Sequence, residues 1–149
     1  MIDPKDDGIS HINVYSKAQT ELGRFLSNFS DCYVLTKDGN FRTIEGYWYW
    51  LGCKDERLRD TKGFESKKLG RELRAPDWNK DPEFEAKIAY AITVKILSSI
   101  DCRRLLIQSD PLPLFHYYCY GSKVIMVKDG LWMINLIDHI RRELVEGKI

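Results

Sequence analysis

A chain of 149 residues is long enough for one domain with a core of its own. Hydrophobic residues make up 44% and charged residues 30%, and no apolar run approaches the ~20 residues that a membrane-spanning helix needs. A formal net charge of +1 argues against a histone-like, non-specific binder of nucleic acid.

The first eight residues are polar and lack the apolar stretch of a secretory signal. Residues 1–10 read as a loose tail, 11–149 as a single domain, and the protein as cytoplasmic. Residues 12–15 form a short strand pattern. Residues 32–35 and 41–44 flank Asp38-Gly39 and predict a hairpin. Thr43 is then placed to cap a helix with Glu45 in its first turn, where the helix dipole favours a carboxylate. Ile44, Trp48 and Leu51 recur at helical spacing as its buried stripe. Glu45 and Tyr49, four residues apart, share a face, and Trp48 lies about 100° from Tyr49.

Residues 65–73 predict a short helix. Asp81-Pro82 opens a longer one, with Asp as N-cap and Pro at the first helical position, and Phe84, Ile88, Ile92 and Ile96 face inward. The prolines at 111 and 113 stop any helix before them. Residues 115–120 and 123–127 read as two strands around Gly121-Ser122. A turn at Asp129-Gly130 leads into a final helix over 131–145, with Met133, Ile137, Ile140 and Leu144 inward. The pattern is α+β: several helices around a small, mostly antiparallel sheet.

Two stretches carry most of the chemistry. Ser27-Asn28 is a polar pair between Phe25 and Phe29, and Glu45 stands beside four aromatics, Tyr47-Trp48-Tyr49-Trp50. A carboxylate among aromatic faces suits acid-base work on a nucleobase or sugar, because an apolar surround raises its pKa. The alternative for Glu45 is a helix-start carboxylate serving only the dipole, and for Ser27-Asn28 a simple turn. Between Lys54 and Arg74 there are eight Lys/Arg and five Asp/Glu. This is either a solvated helical face or a site for phosphate, with Arg71 as a bidentate clamp. Trp78 either stacks on a base or packs in the core. In a strand, His116, Tyr118 and Tyr120 share one face and Tyr117 and Cys119 the other; one face is core, and His116 and Tyr118 are either part of it or candidate ligand contacts. The three histidines and four cysteines lack metal-ligand spacing, which predicts no metal site and free thiols. No Walker loop or GxGxxG is present, and no cofactor is expected.

Leu26-Ser27-Asn28-Phe29, Thr43-Ile44-Glu45-Gly46-Tyr47, Leu69-Gly70-Arg71 and Asp77-Trp78, in that order, together with Ile140-Arg141 in the closing helix, resemble the NADAR (NAD- and ADP-ribose-associated, YbiA-like) superfamily. The resemblance implies an α+β fold and cleavage of N-glycosidic bonds, either in riboflavin-pathway intermediates or in ADP-ribose attached to nucleobases, notably guanine in DNA. It places Glu45 at the family's acidic position and Asn28, Trp48, Arg71 and Trp78 in pocket-forming segments. Gly46 stands where the family usually has His, and the late WGxGxxxxG-x-N segment is reduced. This divergence is similar to a branch carried by tailed bacteriophages, where such a protein would undo a host toxin's DNA ADP-ribosylation.

Three functions are compatible with these residues: an N-glycosyl hydrolase taking ADP-ribose off a nucleobase or nucleic acid, an N-glycosidase of small ribosylamino-pyrimidine phosphates, and a non-catalytic ADP-ribose-binding module. For the first, Glu45, Trp48 or Tyr49, Asn28 and Arg71 should line one concave pocket.

Overall fold

A computed structural model of the chain describes residues 2–73 and 81–149. In chain order its elements are a 3-10 turn (Pro4–Asp6), β1 (Ile12–Asn13), α1 (Glu21–Leu26), β2 (Val34–Thr36), β3 (Gly39–Phe41), α2 (Ile44–Cys53), a second 3-10 turn (Glu56–Asp60), α3 (Gly63–Glu72), α4 (Phe84–Leu97), α5 (Ile100–Ser109), β4 (Leu114–Phe115), β5 (Tyr117–Tyr120), β6 (Lys123–Met126) and α6 (Leu131–Val145). The fold class is α+β, as expected. The strands form three two-stranded pairs, β1-β4 parallel and β2-β3 and β5-β6 antiparallel, in place of one small sheet. The chain divides into two compact units: one holds the chain up to Ser27 together with Ser99–Ile149, the other is Asn28–Ser98. Among the described residues no helix is long and apolar enough to cross a membrane.

In the first unit the chain start is tied down, contrary to the loose tail expected for residues 1–10. Asp7 is buried, and its carboxylate accepts the backbone N–H groups of Asn13 (2.9 Å) and Gln19 (3.0 Å). Asn13 locks the parallel β1-β4 pair to the next strand. Its Nδ2 donates to the Tyr117 carbonyl and its Oδ1 accepts the Tyr117 N–H, both at 3.0 Å. His11 Nε2 meets the Tyr117 hydroxyl at 2.7 Å. Burial, the larger cause, and the charge of Asp7 push that hydroxyl up to about 12. On α6 the inward stripe is Ile134, Ile137, Ile140 and Leu144; Ile134 takes the place expected of Met133, one residue away, and Met133 is half-buried. Arg141 is buried beside this stripe, and its guanidinium donates to the Leu112 carbonyl (2.7 Å), Asp138 (2.9 Å) and Ser109 Oγ (3.1 Å). The charge is tolerated there because it is paired and hydrogen-bonded.

In the second unit Thr36 pairs with Gly39, which leaves Lys37-Asp38 as a two-residue hairpin loop. Gly39 has φ +101°, a conformation that favours glycine. Phe41, at the end of the hairpin, stacks on Tyr47 with centroids 4.6 Å apart. Tyr47 also donates its hydroxyl to Asp38 at 2.7 Å. The buried positions of α2 are Ile44, Gly46, Tyr47, Trp50 and Leu51, so Tyr47 takes the central place expected of Trp48. The inward stripe of α4 is as expected, with Phe84, Ile88, Ile92 and Ile96 all buried. Its start is two residues later than the Asp-Pro signal suggests: Asp81 accepts the Glu83 N–H (2.9 Å) and so caps a turn that precedes the helix.

Candidate functional site

The second unit gathers the charged and aromatic groups of the site along the seam between α2 and α3. Thr43 caps α2, accepting the Gly46 N–H at 2.9 Å, and its Oγ1 lies 3.3 Å from Ser66 Oγ on α3. The seam is built from small residues. A Cβ on Gly46 would come within 2.4 Å of the Leu58 carbonyl oxygen and 3.3 Å of Ser66 Oγ, and one on Gly70 within 2.3 Å of the Tyr49 ring. Gly46, Ser66 and Gly70 therefore let the two helices approach closely, and residue 46 has no room for the histidine usual at that place in the resembled family. Phe29 sits on Gly63, where a Cβ would meet it at 2.5 Å, and this anchors the segment after Asn28 at the start of α3.

That anchoring brings Asn28 to Glu45: the Asn28 carbonyl accepts the Glu45 backbone N–H at 3.0 Å, satisfying a free amide of the first turn of α2. Glu45 is half-buried. Burial pushes its carboxyl from an ordinary 4.5 up to about 7, against the positive charges of Lys67 and then Arg71, which act to lower it. Tyr49, one turn further on, is also pushed upward, first by burial and then by the charge of Glu45, while Arg71 reaches its hydroxyl and opposes the rise. Asn28, Glu45, Tyr49 and Arg71 are thus adjacent in one unit. A carboxyl pushed up to about 7, a phenol and two cations are the groups that proton transfer beside an anion would need.

The other expected residues are placed differently. Trp48 turns about 100° away from Tyr49 and meets Phe84 edge-on, with centroids 4.7 Å apart, so Tyr49 is the aromatic beside Glu45. Ser27 is buried at the C-terminal end of α1, the last residue of the first unit. His116 and Tyr118 belong to that first unit as well. Burial lowers the His116 pKa, opposed by the Val14 backbone, and its Nδ1 has no partner among the described residues. Tyr118 is 39% exposed on β5. Trp78 lies outside the described residues. Lys67 was not singled out by sequence reasoning; its signal was the i, i+4 spacing to Arg71, which puts both cations on one face of α3. Among the described residues no cluster of His, Cys, Asp and Glu is arranged to hold a metal ion, and the four cysteines are free thiols.

The architecture matches a solved structure, the NMR structure of the E. coli protein YbiA, over 99% of this chain and 95% of that one, with a TM-score of 0.67 and 20% sequence identity. The chain has a YbiA-like fold. The likeness in fold agrees with the resemblance carried by Leu26–Phe29, Glu45 and Leu69–Arg71. No family model matches the sequence, and no curated protein matches it with significance. Within the YbiA-like fold of this chain, the α2-α3 seam is where the two motif segments around Glu45 and Arg71 meet.

Proposed function

We propose that this chain is an N-glycosyl hydrolase that removes ADP-ribose from a nucleobase, with guanine in DNA as the first substrate to test, and that it needs no metal. The observation that carries the reading is Glu45, a carboxyl raised to about 7 by burial, with Lys67 and Arg71 acting on it from the neighbouring helix.

N-glycoside hydrolysis passes through an oxocarbenium-like state. The C1–N bond breaks, its electron pair leaves with the base, and the base takes up a proton from solvent. Water adds to C1 and gives its proton to Glu45. The ionised carboxylate stabilises the positive charge that develops on the sugar and orients the water. Two cations beside such a centre would oppose that charge on their own. A diphosphate bound across Lys67 and Arg71 neutralises them and leaves the carboxylate's field to act on the sugar. The same pair thus favours a phosphate-bearing substrate over a bare nucleoside.

Incubation with guanine- and thymine-ADP-ribosylated oligonucleotides tests the reading. Release of ADP-ribose, lost by on the order of 10²-fold or more in Glu45→Gln, supports it. Turnover confined to a ribosylamino-pyrimidine phosphate replaces it with a small-molecule N-glycosidase. Tight binding without release makes the chain a reader of ADP-ribose.

A further inference from the structure

The face of α3 that carries Lys67 and Arg71 also carries Phe64, at i, i+3 and i+7, so the three side chains form one row along the helix. The buried row is Gly63, Ser66 and Gly70, each one residue earlier: Gly63 lies against Phe29, and Ser66 and Gly70 lie against Gly46 and Tyr49 of α2. Gly46 packs on Ser66 and Tyr49 on Gly70, so the helices are parallel, and Glu45, one residue before Gly46, falls on the same side of the seam as the row one residue after Ser66 and Gly70; the charges of Lys67 and Arg71 acting on Glu45 agree with this. Phe64 therefore opens onto that side too. It is 72% exposed, a large apolar ring left in water on that face of the helix.

The order along the seam has a direction. Gly46 lies against Ser66, and Tyr49 against Gly70, so α2 and α3 run the same way. From one end to the other the groups are Phe64, then Glu45 with Lys67, then Tyr49 with Arg71. Seven residues of helix separate Phe64 from Arg71 by about 10 Å, the span from the base of a nucleotide to its 5′-phosphates. An exposed ring at one end, a carboxylate in the middle and a guanidinium at the other match a base, a ribose and a diphosphate in that sequence.

We infer that Phe64 is the stacking platform for the nucleobase that leaves, so that a bound substrate lies with its base on Phe64, its scissile ribose over Glu45 and its diphosphate toward Arg71. This rests on the glycosidase reading for the word "leaves"; the stacking itself does not. Base–aromatic stacking is worth roughly 1–3 kcal/mol per base, or about 5- to 150-fold in affinity, and it tolerates any base with a π-face. The ring selects for an aromatic leaving group without selecting which one.

Isothermal titration of guanosine 5′-diphosphate and of ribose 5-phosphate into the wild type, Phe64→Ala, Phe64→Tyr and Arg71→Ala tests this. The expected result is a loss of at least about 5-fold for the nucleoside diphosphate in Phe64→Ala, an unchanged affinity for ribose 5-phosphate, and recovery in Phe64→Tyr. Arg71→Ala weakens both ligands. The inference is overturned if Phe64→Ala binds the nucleoside diphosphate like wild type, if it loses both ligands equally, or if the wild type binds neither. The glycosidase reading is separated by its own assay: ADP-ribose release that Phe64→Ala leaves untouched keeps the activity and removes the platform, and nucleotide binding that depends on Phe64 without any release does the reverse.

Discussion

Burial pushes the Glu45 carboxyl up to about 7, and this makes stability and activity run in opposite directions with pH. The folded state holds the Glu45 proton in a range where the unfolded chain, with an ordinary value of 4.5, has already released it. Stability therefore falls as pH rises from below 4.5 through about 7, and the penalty is fully present above 7. Glu45→Gln removes the charge and the penalty with it. Relative to wild type, the variant should gain about 1–3 kcal/mol between pH 5 and pH 8, measured by urea unfolding at both pH values; a pH-independent difference would mean that the carboxyl is not desolvated. Activity should do the opposite. With Glu45 working as a carboxylate, kcat/KM rises with a limb near pH 7, and a limb that falls there would assign it as the general acid. Arg71→Ala should weaken a diphosphate ligand by the equivalent of about 1.5–3 kcal/mol and a bare nucleoside far less. Equal weakening of the two, followed by titration, would give Arg71 a purely structural role.

At the scale of elements, the two glycines of the seam set the distance between α2 and α3. Gly→Ala inside a helix favours the folded state by about 1 kcal/mol through backbone propensity. At Gly70 the new Cβ would lie 2.3 Å from the Tyr49 ring and at Gly46 2.4 Å from a backbone carbonyl. Overpacking of this kind costs about 1–3 kcal/mol, so the overlap outweighs the propensity. Both Ala variants should melt below wild type, Gly46→Ala by more because a backbone atom cannot swing aside. Gly70→Ala should also cost activity, since it displaces Tyr49 from Arg71. An unchanged or raised Tm in a calorimetric scan would show that the seam relaxes freely.

For the whole molecule, the proposed hydrolysis rests on carboxylate chemistry, because glycoside hydrolysis can run on carboxylates alone. ADP-ribose release is expected to survive EDTA, and loss on chelation with recovery on adding a divalent ion would overturn this. Much of the architecture was legible in the chain. Thr43 followed by Glu45, the hairpin (its loop at Lys37-Asp38, one residue before the Asp38-Gly39 expected), the Phe84–Ile96 stripe and the final helix all came from local rules of capping, turn chemistry and periodicity, which act over a few residues and leave a readable pattern. The Glu45–Tyr49 face was readable for the same reason. Local pattern could not say that Trp48 packs on Phe84 while Tyr47 takes the core, because every position of an all-aromatic turn satisfies the hydrophobic pattern equally. Nor could it say that the strands pair as three separate ribbons, since pairing joins residues as distant in the chain as Ile12 and Leu114. The same holds for the site. The sequence by itself determined which carboxylate, cations and rings are available and on which face of each helix they lie. Only the tertiary structure decided that Gly46, Ser66 and Gly70 close the seam far enough for Lys67 and Arg71 to act on Glu45, because a through-space field depends on a distance between helices that no single helix encodes.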